Sequence, residues 1–150
     1  MSLIPDFKRC FKQILTMQIN ILIVEDDPAM RIVLRSTVLS AGLDVDIAEI
    51  FEAENGKEGI EILKKSKVDL MLVDIYMPVM DGMEMLDYTY DHPDFSHIPA
   101  IVVSTENDED RIDTILRKGL GFVHKPLTRR LLKGQINKIM KTKEAYRDRD

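Results

Sequence analysis

VDLMLVDIYMPVMDG, residues 68–82, joins a short apolar run to an acidic residue, Asp74, and then to a turn at Asp81-Gly82. A short apolar run with turn signals behind it is typical of a strand buried on both faces of a parallel sheet. The apolar residues that follow the turn, Met83 and Leu86, have helical spacing. This stretch therefore predicts a buried strand, a loop that begins at Asp74, and a helix.

The same arrangement repeats along the chain. Apolar runs at Ile19–Val24 and Ala100–Val103 predict two more buried strands, and Ile47–Ala53 and Phe122–His124 are weaker strand candidates. Residues at helical spacing mark helices between and after them: Met30, Val33, Leu34 and Val38; Ile60 and Leu63; Met83 and Leu86; Ile112, Ile115 and Leu116; Leu132, Ile136 and Ile139. Five strands alternating with five helices predict a doubly wound α/β domain, whose functional residues lie beyond the carboxyl ends of the strands.

The composition of the chain limits its possible classes. With 150 residues, 45% hydrophobic and 31% charged, it has the size and balance of one globular domain. No apolar run is long enough to cross a membrane, and charged residues interrupt the N-terminus where a secretory signal would be apolar. We therefore expect a cytoplasmic protein. The single cysteine, Cys10, excludes an intramolecular disulfide.

The charge of the chain argues against a nucleic-acid binder. The net charge of -5 is unfavourable for binding nucleic acid or an anionic membrane directly. One basic cluster exists near the C-terminus, and we interpret it as the solvated face of the last helix. Its members are Lys125, Arg129, Arg130, Lys133, Lys138, Lys141 and Lys143.

Polar residues follow four of the predicted strands. They are Glu25, Asp26 and Asp27; Asp74; Ser104 and Thr105; and Lys125 with Pro126. Carboxylates held together need a cation, and Mg²⁺ is suited to oxygen ligands. Lys125 can pair with a carboxylate or with a phosphoryl oxygen. Together, these groups are suited to phosphoryl transfer, with Asp74 as the candidate nucleophile. Asp27, directly before Pro28, is equally well explained as a helix N-cap.

Four segments carry a family resemblance: ILIVEDDP (21–28), LVDIYMPVMDG (72–82), IVVST (101–105) and KP (125–126). They resemble the receiver domains of two-component response regulators, including the chemotaxis regulator, over about residues 19–141. The resemblance implies a flavodoxin-like fold with strand order 2-1-3-4-5. It also implies that Asp74 accepts a phosphoryl group, and that Glu25, Asp26, Asp74 and the backbone carbonyl of Tyr76 bind Mg²⁺.

Further roles follow from the same resemblance. Lys125 corresponds to the family's conserved lysine, Ser104 to its switch hydroxyl and Phe122 to its switching aromatic. The domain would be a signalling phosphoacceptor that catalyses its own phosphorylation and slow dephosphorylation. Its partners would be a histidine kinase or phosphotransfer protein and a downstream effector, and a homodimer is allowed. Tyr76 and Glu106 correspond to positions that border the path of the hydrolytic water.

The chain departs from the family pattern at three places. The span from the first strand to Asp74 is a few residues longer than in the family pattern. The additional residues lie in Leu43–Ile50, where we expect a longer second strand or a longer preceding loop. The turn before Phe122 is one residue short. Thr105 stands where the family often has alanine, so Ser104 and Thr105 could exchange roles, although the interval of 30 residues from Asp74 favours Ser104.

An alternative activity is a phosphatase of the haloacid dehalogenase type, which also forms an aspartyl phosphate with Mg²⁺. Those enzymes use a second Asp two positions after the nucleophile, where this chain has Tyr76. The sequence therefore favours the receiver function.

The ends of the chain lie outside the resemblance. Residues 1–18 form an N-terminal extension, either helical or derived from a tag, and residues 142–150 are a charged tail or the start of a linker. Within the extension, Ile4, Phe7, Phe11 and Ile14 repeat at helical spacing, and Pro5 suits a first turn.

Overall fold

The computed structural model describes residues 17–147, with side chains through residue 143. Five strands and five helices alternate in this range. In chain order they are β1 (Gln18–Val24), α1 (Pro28–Ser40), β2 (Asp46–Ala53), α2 (Gly56–Lys65), β3 (Leu70–Val73), α3 (Gly82–Asp91), β4 (Ala100–Ser104), α4 (Glu109–Arg117), β5 (Gly121–His124) and α5 (Arg129–Arg147). The predicted helix in residues 4–16 and Cys10 lie outside the described residues.

The strands form one parallel sheet in the order β2-β1-β3-β4-β5. This confirms the doubly wound fold and the strand order that the resemblance implied. Because the order reverses between β1 and β3, the connections that follow these two neighbouring strands lead to helices on opposite faces of the sheet and leave a crevice at the strand ends.

Two apolar layers lie on opposite faces of the sheet because successive strand residues point to opposite sides. On β3, Leu70 and Leu72 contribute to one layer, and Met71 and Val73 to the other. The first layer is covered by α1 and α5, and the second by α2, α3 and α4. All four β3 residues are buried, as the apolar run predicted.

Three details of the sequence prediction are corrected. Val33 is 46% exposed and Leu116 is 52% exposed, although both were expected on the buried helix faces. In α1 the sheet is covered by Leu34 and Val38, and each step along a helix turns about 100°, so Val33 faces away from the sheet. The strand predicted from Val68 begins at Leu70.

The second strand is the longest of the five. β2 has eight residues, and its register with β1 shifts where Ile19 pairs with Ile47 but Asn20 pairs with Glu49. Ala48 is therefore the extra residue of a bulge, and it lies within Leu43–Ile50, the segment in which the surplus residues were expected.

No helix within residues 17–147 is long and apolar enough to cross a membrane. The last helix, α5, runs to Arg147, beyond the end of the family resemblance near residue 141.

Candidate functional site

Three carboxylates meet at the carboxyl end of the sheet. Val24 and Val73 are partners in the β1–β3 ladder, so Glu25 and Asp74 leave the sheet next to each other. Oxygen atoms of Glu25, Asp26 and Asp74 all lie within 4.8 Å of one another. Glu25 and Asp74 are buried, at 2% and 7% exposure, whereas Asp26 is open to solvent.

Lys125 places a positive charge beside two of these acids. Its ammonium nitrogen lies 2.8 Å from Glu25 Oε2 and 3.6 Å from Asp74 Oδ2. The residue directly follows β5, and its backbone N–H donates to the Ser104 carbonyl at the end of β4 over 2.8 Å. The bond from Lys125 to Pro126 is cis. The Lys125 side chain therefore extends from the end of β5, past the end of β4, to the ends of β3 and β1.

One ammonium group does not balance the buried acids. Burial raises the pKa of the Glu25 carboxyl and the charge of Asp74 raises it further, while Lys125 lowers it, with a net upward shift. Burial also raises the pKa of Asp74, against the lowering effects of Lys125 and of the Ile75 and Tyr76 backbone N–H groups. Another cation would favour the ionised forms of both acids.

The carboxylates fit a small divalent cation. All three are hard oxygen donors of the kind that Mg²⁺ takes, and one oxygen atom of each lies within 4.8 Å of the other two. The exposed Asp26 leaves one side open for water, which Mg²⁺ retains in most protein sites. The oxygens of Glu25, Asp26 and Asp74 are therefore suited to hold Mg²⁺.

The turn after β3 fixes the backbone of Asp74. Gly82 donates its N–H to the Ile75 carbonyl over 2.9 Å. A Cβ at Gly82 would lie 2.0 Å from the backbone oxygen of Asp74, so only glycine fits. Asp81 caps α3 by accepting the Glu84 N–H, which accounts for the Asp-Gly pair in the sequence.

The structure distinguishes between the two hydroxyl residues after β4. Ser104 is fully buried and its hydroxyl oxygen accepts the Glu106 N–H over 3.2 Å, whereas Thr105 is exposed. Phe122 lies on β5 opposite Val102 and is partly buried against the layer under α2–α4. Asp27 accepts the Ala29 N–H at the start of α1, so it is a helix N-cap, as its position before Pro28 suggested.

Sequence reasoning missed Arg111, which joins Tyr76 to Glu106. The Tyr76 hydroxyl donates to a carboxylate oxygen of Glu106, and Arg111 lies 3.0 Å from the hydroxyl and 3.4 Å from that carboxylate. The guanidinium carbon is 5.6 Å from the centre of the Tyr76 ring. The hydrogen bond to Glu106 raises the pKa of Tyr76, and the same bond lowers the pKa of Glu106. Only the position of Arg111 in the first turn of a predicted helix could have hinted at this contact.

The chain matches one protein family over most of its length. The model of the response regulator receiver domain matches residues 21–137. A chemotaxis protein CheY homolog of Campylobacter jejuni is 29% identical over 125 residues, which are 82% of this chain and 93% of that protein.

Solved structures share the fold. The signal receiver domain of a signal transduction histidine kinase from Syntrophus aciditrophicus has a TM-score of 0.68 and 26% identity, over 83% of this chain and 91% of that one. The receiver domain of a sensor histidine kinase from Pseudomonas aeruginosa has a TM-score of 0.69 and 20% identity, over 81% and 96% of the two chains. The latter holds a magnesium ion coordinated in its active-site cleft.

Proposed function

This chain belongs to the response regulator receiver domain family, and from that premise we propose that Asp74 is its phosphoacceptor, in a reaction that depends on Mg²⁺. The observation that carries the proposal is the position of Asp74. Its buried carboxylate lies beside two other acids and 3.6 Å from the Lys125 ammonium. A lone surface aspartate would have none of these neighbours.

In the proposed reaction, a carboxylate oxygen of Asp74 forms a bond to phosphorus while the bond from phosphorus to the donor breaks. The donor atom leaves with the electron pair of that bond; a histidine donor leaves as neutral imidazole, and acetyl phosphate releases acetate as the anion. Such transfers are accelerated by positioning and charge neutralisation. Glu25, Asp26, Asp74 and the backbone carbonyl of Tyr76 would hold Mg²⁺, which supplies positive charge to the carboxylates and to the transferred group.

Lys125 has two proposed tasks. Before transfer, it offsets part of the negative charge of Glu25 and Asp74, since it lies within 4 Å of both carboxylates. After transfer, its ammonium can pair with a phosphoryl oxygen, which is a strong charge-assisted contact. The phosphoryl group adds roughly -1.5 to -2 charge, by analogy with other phosphorylated side chains. Loss of Lys125 should therefore uncouple phosphorylation from the response.

The proposed switch uses Ser104 and Phe122. The Ser104 hydroxyl now accepts the Glu106 N–H, and we expect it to turn toward a phosphoryl oxygen on Asp74. Phe122, which is only partly buried, would then turn inward and alter the surface formed by α4, β5 and α5. A partner affinity that changes neither on phosphorylation nor in Ser104→Ala would contradict this switch.

Tyr76 is proposed to prolong the phosphorylated state. Hydrolysis needs a water in line with the leaving oxygen, and Tyr76 follows Asp74 by two residues. Its side chain runs from the end of β3 to Glu106, beyond the end of the neighbouring β4. A ring in this position would limit the approach of water.

The chain is a signalling domain, and its proposed phosphodonor is a histidine kinase or a phosphotransfer protein. The proposed recipient of the signal is an effector that binds the switched surface. Tyr76 replaces the second aspartate of a haloacid dehalogenase, so the phosphatase alternative is not favoured.

The test is phosphorylation by acetyl phosphate, followed by intact-mass spectrometry. With Mg²⁺ the chain should gain one phosphoryl group, and it should gain none after chelation of the metal or in Asp74→Asn. Asp27→Asn is the matched control, because asparagine caps a helix as well as aspartate does. This control should be phosphorylated normally. Equal phosphorylation of Asp74→Asn and wild type would refute the proposal.

A further inference from the structure

Tyr76, Glu106 and Arg111 form a strap over the gap between two strand ends. Tyr76 follows β3, Glu106 follows β4, and Arg111 lies in the first turn of α4. The strap thus bridges adjacent strands of the sheet on the side of Asp74. Each of the three side chains contacts the other two.

Glu106 is held on both of its carboxylate oxygens. Oε1 accepts the backbone N–H groups of Asn107 and Asp108 over 3.1 and 2.9 Å. Oε2 faces the Tyr76 hydroxyl and the Arg111 guanidinium. A carboxylate bound on both sides has little rotational freedom, so Glu106 offers Tyr76 a fixed partner. The side chain of Glu106 is only 9% exposed.

Arg111 is anchored at its backbone as well. The N-cap of α4, Asp108, accepts the N–H groups of Asp110 and Arg111 through one carboxylate oxygen. From this first turn the guanidinium reaches the Tyr76 hydroxyl and lies 5.6 Å from the centre of its ring. Arginine favours contacts of both kinds, because its planar group donates several hydrogen bonds and is attracted to aromatic faces.

The charge of the strap is balanced. Glu106 alone would place a negative charge near a phosphoryl group and repel it. The guanidinium of Arg111, 3.4 Å from Glu106 Oε2, offsets that charge. A neutral strap can lie over an anion, whereas an acidic one would be pushed away from it.

We propose that Arg111 is a positioning residue that holds Tyr76 and Glu106 as a strap across the phosphoacceptor site and so prolongs the phosphorylated state. This inference rests on the proposed function of Asp74. Within the residues that the structure describes, Arg111 makes no hydrogen bond or ion pair with Asp74. It therefore acts through Tyr76. Without the guanidinium, Tyr76 loses a hydrogen bond and its ring contact, and Glu106 loses its counter-charge, so the strap should open more often to water.

The experiment follows the decay of the phosphorylated form with Mg²⁺ present after the donor is removed. Arg111→Ala should lose its phosphoryl group about fivefold faster than wild type. Arg117→Ala is the matched control, because Arg117 lies on the same helix and pairs with Asp113 over 2.8 Å, away from the strap. Its decay should equal that of wild type. Melting curves should show that both variants are folded.

A double-mutant cycle separates positioning from a general effect on α4. In a Tyr76→Ala background, Arg111→Ala should speed the decay by clearly less than fivefold, because the ring that Arg111 positions is gone and only its pairing with Glu106 remains. An undiminished effect in that background would overturn the inference, as would equal decay of Arg111→Ala and wild type. If wild type takes up no phosphoryl group at all, the proposed function itself fails, and the inference with it.

Discussion

Replacing Lys125 by methionine should destabilise the metal-free protein by about 2 kcal/mol at neutral pH. The substitution keeps an unbranched side chain but removes an ammonium that lies 2.8 Å from Glu25 and 3.6 Å from Asp74. Breaking a fully buried ion pair costs roughly 3–5 kcal/mol. We expect less here because Asp26 opens the site to solvent, and because the remaining acids can take up a proton.

The effect of this substitution should depend on pH. The pKa values of Glu25 and Asp74 are already raised in the folded protein. Loss of Lys125, which lowers both, would raise them further. A raised carboxyl pKa contributes stability that is present at low pH and is lost as pH rises through the folded-state pKa. The difference between Lys125→Met and wild type should therefore be largest above these pKa values and should shrink as the acids become protonated.

The assay is thermal melting at several pH values in the presence of a chelator. At neutral pH the melting temperature should fall by about 6 °C, since a domain of this size shifts by roughly 3 °C per kcal/mol. Lys64→Met is the control, because the ion pair of Lys64 with Glu61 is about half exposed on both sides. That variant should lose less than about 0.5 kcal/mol. Equal losses for the two variants would refute the reasoning about buried charge.

Three further predictions concern the same site. Mg²⁺ at about 100 times its Kd at pH 8 should stabilise the protein by about 2.7 kcal/mol, and the same concentration should stabilise it less at about pH 5, because binding needs ionised Glu25 and Asp74; an equal rise in melting temperature at both pH values would contradict this. Gly82→Ala should cost about 3 kcal/mol in denaturant unfolding, because its Cβ would lie 2.0 Å from the Asp74 carbonyl, whereas Gly134→Ala, with open space around its Cβ, should be neutral or stabilising. Tyr76→Asn should lose its phosphoryl group about tenfold faster than wild type in a decay measurement, and equal or slower decay would show that the ring gives no protection.

The fold could be predicted because it is determined largely by the burial of apolar residues. The four residues of β3 are apolar and all buried, so a short apolar run was a sufficient signal. Helix faces were harder to predict, since the spacing of Val33, Leu34 and Val38 fits two orientations that differ by one residue. Packing against the sheet selects Leu34 and Val38. A longer span before Asp74 was expected from the sequence, but the bulge at Ala48 depends on the pairing of β1 with β2 and could not be predicted.

The site was partly predictable for a related reason. Once the strands were assigned, the acids after β1 and β3 had to meet at one edge of a parallel sheet. The role of Gly82 was only partly predictable. A helix cap can be inferred from Asp81-Gly82, but the 2.0 Å distance that a Cβ at Gly82 would have from the Asp74 backbone oxygen cannot. Arg111 could not be predicted, since its contacts depend on the path of residues 105–108 and on the directions of three side chains.

The identity of the phosphoacceptor can be measured directly by chemical trapping. The chain is phosphorylated with acetyl phosphate and Mg²⁺ and then reduced with borohydride, which converts an aspartyl phosphate to homoserine. Mass spectrometry of the peptides then locates the product. Homoserine is expected at position 74, with unchanged aspartates at 26 and 27. Homoserine at another position, or a stable phosphoryl group on a histidine or serine, would contradict the assignment of Asp74 as the phosphoacceptor.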